Sequence, residues 1–317
     1  MHLHLYQIWY DESSKPAQNS GMEAFDCRNN PEFLKREIAH LIRFYDEIVS
    51  NSDDDSYFAL LSPRFGEKTG LTVSEIKDFV SSNPNHDIYL FNPFPTHTYV
   101  DINVWENGES RHPGLKQLTQ HLLDTTGIDF DIYALHRNNI LNTVYCNYWV
   151  ASKPFLDDFI SLIKNIDATI NTMPKHERDR YFSTARYNTE ASYYPFIFER
   201  LICTFLLMNP NYSSKPYIYT YPFLGCHKLK PLESKFYFSS HRPYFDEWET
   251  NPNNVNLINQ GFSIVQNRLR PDVRISSNKV VNRLSNSLLK KLYNITPISI
   301  EKKLKNIENN YQSALGK

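Results

Sequence analysis

The sequence predicts an α/β fold of parallel strands joined by crossover helices. Three observations carry this. The chain opens on a short apolar run, LHLYQIWY at 3–10. Amphipathic helical runs then alternate with further apolar runs. A β-α-β-α-β order is complete within about 90 residues. A chain of 317 residues is long enough for one large domain or two small ones with a buried core. Apolar residues make up 41%, which excludes wholesale disorder. The 9 glycines are too few for collagen or Gly-rich linkers.

The first strand gives way to a polar stretch, 11–30, which reads as a long loop. Residues 31–50 read as an amphipathic helix, with Phe33, Leu34, Ile38, Leu41, Ile42, Tyr45, Ile48 and Val49 on one face and Pro31 near its first turn. YFALL at 57–61 reads as a second strand. TVSEIKDFVSS at 72–82 reads as a helix, in which Thr72 and Glu75 offer a reciprocal cap. DIYLF at 87–91 completes the unit.

After Asn92 the chain reads as loop up to a helix over 114–125 that ends at Gly127. VYCNYWV at 144–150 reads as a strand and PFLDDFISLIKNI at 154–166 as a helix. Residues 172–192 read as loop. PFIFERLICTFLLM at 195–208 is apolar almost all round and reads as a buried helix, and YIYTYPF at 217–223 as a last strand. From Arg268 onward Lys and Arg far outnumber Asp272, Glu301 and Glu308. This basic tail, 268–317, reads as helical. It is either a solvated extension or one packed on another subunit, or it is a contact for an anionic membrane surface or a phosphorylated acceptor.

Several functions are excluded or unsupported by these residues. A net charge of −1 excludes a globally basic nucleic-acid binder. Cys27, Cys146, Cys203 and Cys226 form no C-x-x-C pair, which fits reduced thiols in a cytoplasmic protein. The N-terminus lacks the charge and apolar pattern of a secretory signal. No run of about 20 apolar residues occurs, and the nearest is broken by Glu199 and Arg200. There is no H-E-x-x-H, no tight His/Cys cluster and no G-x-S-x-G, so no metal ligand is assigned. Asp53-Asp54-Asp55 precedes its strand and reads as a solvated loop at the wrong sheet edge for a site.

Three stretches remain as candidates, because open α/β sheets bind ligands beyond the carboxyl ends of their strands. In QIWYD, Gln7, Trp9, Tyr10 and Asp11 end the first strand. The rings could stack on a base and Asp11 could take a ribose hydroxyl, or the rings could be core. In LSPRFGEKTG, Arg64 and Lys68 follow the second strand as candidate phosphate partners, although the P-loop spacing is absent. In NPFPTHTYVDINVWENGESRHPG, Asn92, His97, Asp101, Glu106, Glu109, Arg111 and His112 crowd a polar stretch. Asp101 or Glu106 could act as general base, and His112 could contact a hydroxyl-rich ligand.

Five phrases carry a resemblance: QIWYD, FALLSPRFGEKTGL, NVWENGESRHPGL, NYWVASKPFLDDF and PFIFERL. Across about residues 3–225 the chain resembles bacterial glycosyltransferases of capsule and O-antigen polysaccharide clusters. The resemblance implies a Rossmann-like GT-A fold over 1–267, with a donor half to about 110 and an acceptor half over about 111–267. It implies a nucleotide-sugar donor, a UDP-sugar foremost, and a growing glycan or lipid-linked acceptor. With no signal and no membrane span, the chain is expected on the cytosolic side, at most touching the inner membrane, and a lipid-linked acceptor would give the basic tail a reason to do so.

One departure is visible. Where many such enzymes carry an Asp-x-Asp metal motif, this chain has Asn92-Pro93-Phe94. Either transfer is metal-independent or the metal ligand lies elsewhere; metal-free transfer needs cations for the leaving diphosphate, and Arg64, Lys68, His241 and Arg242 are the candidates. Asn147 and Tyr148 are placed by the resemblance on the acceptor side. Glu199 joins Asp101 and Glu106 as a candidate carboxylate, since burying it is costly unless it is paired or used. The alternatives are a non-catalytic carbohydrate- or nucleotide-binding protein, or an assembly protein of the polysaccharide machinery.

Overall fold

The computed structural model describes residues 2–134, 137–185, 191–220, 231–240 and 242–250. The protein is α/β, with a mixed six-stranded sheet of Rossmann-like character. The strands are β1 (His2–Trp9), β2 (Glu23–Asp26), β3 (Ser56–Leu61), β4 (Ile88–Leu90), β5 (Trp149–Ser152) and β6 (Ser214–Pro216). Their order in the sheet is β2-β1-β3-β5-β4-β6. β2 and β3 both pair parallel to β1, and β6 pairs parallel to β4. β5 runs antiparallel between β3 and β4, so the expected all-parallel sheet is corrected.

Both faces of the sheet are covered, which is why its central strands are apolar throughout. Side chains alternate between the faces. Ile8, Phe58, Leu60, Ile88, Leu90, Trp149 and Ala151 join the main core. That core also takes in α1 (Glu37–Phe44), α7 (Lys153–Thr172) and α9 (Tyr193–Met208). Tyr89 and Phe91 point the other way, and their rings meet Phe79 of α3 (Val73–Ser82). Phe91 also meets Phe65 of α2 (Phe65–Thr69). The cap of α3 is as predicted: Thr72 accepts from the Glu75 amide, and Glu75 accepts from the Thr72 amide.

Several elements differ from the sequence reading, each for a local reason. The loop 11–30 contains a 3-10 turn, Glu12–Ser14, and the four-residue edge strand β2, of which only Phe25 is buried. The helix expected from 31 begins only at Glu37, because Arg36 has φ +50 and breaks it. Phe33–Lys35 is a separate 3-10 turn, and Tyr45–Val49 is a π-helical continuation of α1. The loop after Asn92 holds α4 (His97–Val100) and α5 (Val104–Arg111), where Asn103 accepts from the amides of Trp105 and Glu106.

The helix expected to end at Gly127 is α6 (Leu115–Thr126), closed by Gly127 at φ +78. The strand expected over 144–150 starts only at Trp149, since Cys146 and Asn147 are left-handed. The polar stretch 172–192 holds α8 (Lys175–Phe182), a charged surface helix without an apolar stripe. The final strand lies at Ser214–Pro216, ahead of the predicted 217–223, of which 221–223 fall outside the described residues.

Contacts divide the chain into two compact units. The first draws on 1–94 and 102–225 and contains the sheet. The second draws on 95–101 and on residues from 226 onward. In the second unit the described elements are α4, α10 (Pro231–Tyr237) and α11 (Arg242–Thr250). They share an aromatic cluster of Tyr99, Phe236, Tyr237 and Phe245. Among the described residues no helix is long and apolar enough to cross a membrane. The basic tail 268–317 and His241 lie outside the described residues.

Candidate functional site

The strand order places a crevice before any side chain is considered. β1 sends the chain to β2 on one side, and the chain returns to β3 on the other. Such a reversal opens a gap at the carboxyl ends of the parallel strands. Four segments of the first unit reach this edge. They are the turn after β1, the turn that leads from β2 into α1, the loop and α2 that follow β3, and the segment 144–148 that enters antiparallel β5.

A charged cluster gathers there, and its central member is Glu37, in the first turn of α1. Glu37 is exposed to water, yet burial is the main cause that raises its pKa, to about 7. Solvent reaches the residue, while the protein around it penalises the charged form. The Glu199 charge raises the value further, and Lys68 and Arg36 oppose the rise.

The partners are held by specific contacts. Glu199, from α9, accepts the Cys146 backbone N–H through Oε1 at 2.8 Å, and Arg200 Nη1 stands 3.5 Å from Oε2. Arg200 is buried and donates to the carbonyls of Val104 and Phe196 at 2.9 and 2.8 Å. Its guanidinium is admitted by Gly108 of α5, where an added Cβ would lie 2.8 Å from Arg200 Nε. Lys68 Nζ donates to Cys146 Sγ at 3.2 Å and lies 5.5 Å from the Tyr148 ring centre. Burial works against the Lys68 cation, but its partners, the carboxylates of Glu37 and Glu199 among them, outweigh it and its pKa is raised. Burial pushes the Cys146 thiol up to about 12, so it stays protonated and is a poor nucleophile.

Backbone strain collects at the same place. Arg36, Cys146 and Asn147 have φ of +50, +64 and +53. Residues in such regions cost on the order of 1–3 kcal/mol each and persist where surrounding structure enforces them. Here the strain at Arg36 sets the start of α1 at Glu37. The strain at Cys146 and Asn147 turns the Cys146 amide toward Glu199. Tyr148, fully buried beneath, shares a 2.8 Å hydrogen bond with Ser62 Oγ and packs edge-on against Phe65.

Of the residues singled out from sequence, Lys68, Glu199, Asn147 and Tyr148 belong to this cluster or its floor. Arg64 lies nearby on the loop after β3, but its guanidinium grips Glu67 through two bonds of 2.8 and 2.7 Å. Asn92 is buried and closes a turn by accepting the Phe94 amide at 3.0 Å. Gln7 donates to the Ser14 carbonyl at 2.8 Å, and Asp11 caps the 3-10 turn. Hydrogen bonds from Ser13 and Ser14 lower the Asp11 pKa. Trp9 carries Arg28 and Lys15 over its ring at 3.7 and 4.7 Å, while Tyr10 is exposed.

Others serve the corner between α5 and α6. Glu106 pairs with Lys116, which is buried and lies over the Tyr133 ring. His112 is buried and stacks on Phe196 at 3.8 Å. Asp101 and Arg242 belong to the second unit. There His97 Nδ1 stands 3.6 Å from Asp101, and Arg242 pairs with Asp246.

Sequence reasoning missed Glu37. The available signal was its place on the stripe of Leu41, Phe44 and Ile48, at i, i+4, i+7 and i+11, where an acidic residue breaks an apolar row. It also missed an open groove of about 490 Å³ at the end of β2, lined by Asp26, Arg28, Asn29 and Arg43. Among the described residues no three His, Cys, Asp or Glu side chains converge as metal ligands. Neither a family model nor a curated protein nor a solved structure matches this chain.

Proposed function

We propose that this chain is a glycosyltransferase. It moves a sugar from a nucleotide-sugar donor, a UDP-sugar foremost, to a hydroxyl of a growing bacterial surface glycan or a lipid-linked acceptor. The observation that carries this reading is the placement of Glu37. A carboxylate with a pKa raised to about 7 stands at the carboxyl edge of the sheet, beside a lysine and a second carboxylate. A base poised near neutral pH takes a hydroxyl proton efficiently.

Glu37 accepts the proton of the acceptor hydroxyl. The freed oxygen forms its bond to the anomeric carbon as that carbon's bond to the donor phosphate oxygen breaks. The nucleoside diphosphate leaves with the electron pair, and the Lys68 cation balances its developing charge. Such a single displacement inverts the anomeric centre. Glu199 keeps the Glu37 proton affinity high and is itself anchored by the Cys146 amide. The mixed sheet with its crevice supports a GT-A reading of the fold, and the phrase-level resemblance supports the substrate class.

The test is nucleotide release from a panel of UDP-, GDP-, dTDP- and CMP-sugars, each with Mn²⁺ and with EDTA. The wild-type chain should turn over one donor class, and Glu37→Gln should lose about 10²–10⁴-fold while still binding the nucleotide. Binding without turnover in the wild type would favour the non-catalytic binder. An undiminished rate in Glu37→Gln would remove the base from this site.

A further inference from the structure

Arg36 holds a backbone that its side chain disfavours. Its φ of +50 and ψ of −131 lie outside the regions open to L-residues without strain, and glycine alone takes them freely. Such a conformation persists only where surrounding structure enforces it. The enforcing contacts converge on the residue before it. Lysine is almost never fully buried unless paired, yet Lys35 is only 7% exposed. Its Nζ stands 2.6 Å from Glu32 Oε1 and donates to Asp167 Oδ2 at 2.9 Å. Burial opposes the Lys35 cation, but the two carboxylates outweigh it and its pKa is raised.

The clamp extends into two helices. Asp167 belongs to α7, and its Oδ1 accepts the hydroxyl of Tyr194, on α9, at 2.6 Å. Asn171 donates to Asp167 Oδ2 at 3.1 Å. Ser192, at the cap of α9, donates through Oγ to the Leu34 carbonyl at 3.4 Å. The turn itself is closed by the Lys35 amide on the Glu32 carbonyl at 2.8 Å and the Arg36 amide on the Phe33 carbonyl at 3.2 Å. The turn before Glu37 is therefore tied to α9, and α9 also carries Glu199.

We propose that Lys35 is a positioning residue for Glu37: its buried pair with Asp167 enforces the strained backbone of Arg36, and so fixes where α1 begins and where Glu37 stands relative to Glu199. This rests on the reading of Glu37 as the base. The clamp acts through the backbone rather than through charge, which gives its loss a sign of its own. Removing a nearby cation would raise the Glu37 pKa. Losing the position instead takes Glu37 from the surrounding protein and from Glu199, and lowers the value toward the ordinary 4.5. The charges that act on Glu37 are Glu199 from α9, Lys68 from α2 and the adjacent Arg36.

The test follows the Glu37 carboxyl by carbon NMR in the full chain as pH is varied, with its signal assigned by its loss in Glu37→Gln. The wild-type midpoint should lie at about 7. Lys35→Met should lower it by about one unit or more, and the pH profile of kcat/KM should move with it. Adding Arg36→Gly should bring the midpoint back to the wild-type value or above, because glycine takes this backbone unaided and the Arg36 charge lowers the value. An unchanged or raised midpoint in Lys35→Met, or no rescue by Arg36→Gly, overturns the assignment. If Lys35→Met does not fold, Lys35→Met with Asp167→Asn, which leaves no unpaired buried charge, is read by the same criterion. If neither folds, Arg36→Gly alone decides. A Tm above wild type with the midpoint held supports enforced strain, and a lower Tm overturns it. A midpoint that follows the clamp while no nucleotide sugar is turned over leaves the positioning role and removes the transferase reading. A wild-type midpoint near 4.5 removes both.

Discussion

Replacing Glu37 by Gln should make the folded protein more stable at pH 8 while it lowers the proposed transferase rate by about 10²–10⁴-fold. The carboxyl's pKa moves from an ordinary 4.5 to about 7 on folding, chiefly through burial and then the Glu199 charge. At about 1.36 kcal/mol per unit, a shift of that size would be worth ~3 kcal/mol for a group sealed from solvent. Glu37 is exposed, and water screens it, so about 1 kcal/mol is expected. The folded pKa lies above the unfolded one. Its stabilising contribution is therefore complete below about pH 4.5 and is lost as pH rises through about 7. At pH 8 the ionised carboxylate is a cost that Gln lacks, and the Tm of Glu37→Gln should exceed wild type by roughly 2–4 °C. The two curves should converge near pH 4. Thermal melts between pH 4 and 8.5 read this directly. A variant that melts below wild type at pH 8, or a difference independent of pH, would refute the reasoning. Glu37 would then be a satisfied ion-pair partner. The same titration predicts kcat/KM rising with pH through about 7.

Further outcomes follow from other sites. Gly108→Ala places a Cβ 2.4 Å from Leu115 Cδ2 and 2.8 Å from Arg200 Nε. The overpacking should cost about 1–3 kcal/mol despite alanine's better helix propensity, and an unchanged Tm would argue that Arg200 can move aside. In the second unit Asp246 accepts from Tyr99 at 2.7 Å and pairs with Arg242, yet burial raises its pKa to about 6. Its contribution to stability is complete below about pH 4 and is lost as pH rises through about 6. Asp246→Asn should flatten that limb of the stability–pH curve, and persistence of the limb would assign it elsewhere.

The α3 cap at Thr72 and Glu75 and the Gly127 stop of α6 were legible because each rests on contacts within one turn of chain. The buried strands β3 and β4 were legible from their apolar runs. β2 was not, because an edge strand with one buried residue leaves almost no pattern. The polar stretches that became α5 and α8 read as loop because α8 buries only Tyr181, and the face α5 buries includes Asn107 and Gly108 beside Val104 and Trp105, so neither shows an apolar helical period. Lys68 and Glu199 could be suspected from residue type and place, since a cation after a strand and an acid in an apolar helix are both anomalies. Glu37 was hidden by a misplaced helix start. With the helix begun at 31, Phe33 and Leu34 lie on the apolar face, whereas the left-handed Arg36 breaks it and leaves them in water.

The alternation of apolar and amphipathic runs thus determines an α/β sheet with covered faces, because burial periodicity is a property of each segment alone. Which strand lies beside which is set by long-range pairing. That pairing inserted β5 antiparallel between β3 and β4 and opened the crevice between β1 and β3. The ionisation of Glu37 is decided at the same level. Its raised pKa needs protein around it and the charge of Glu199, which is 162 positions away in the chain and comes close only through the packing of α9. No stretch of sequence carries that information, since electrostatic coupling depends on distance in space.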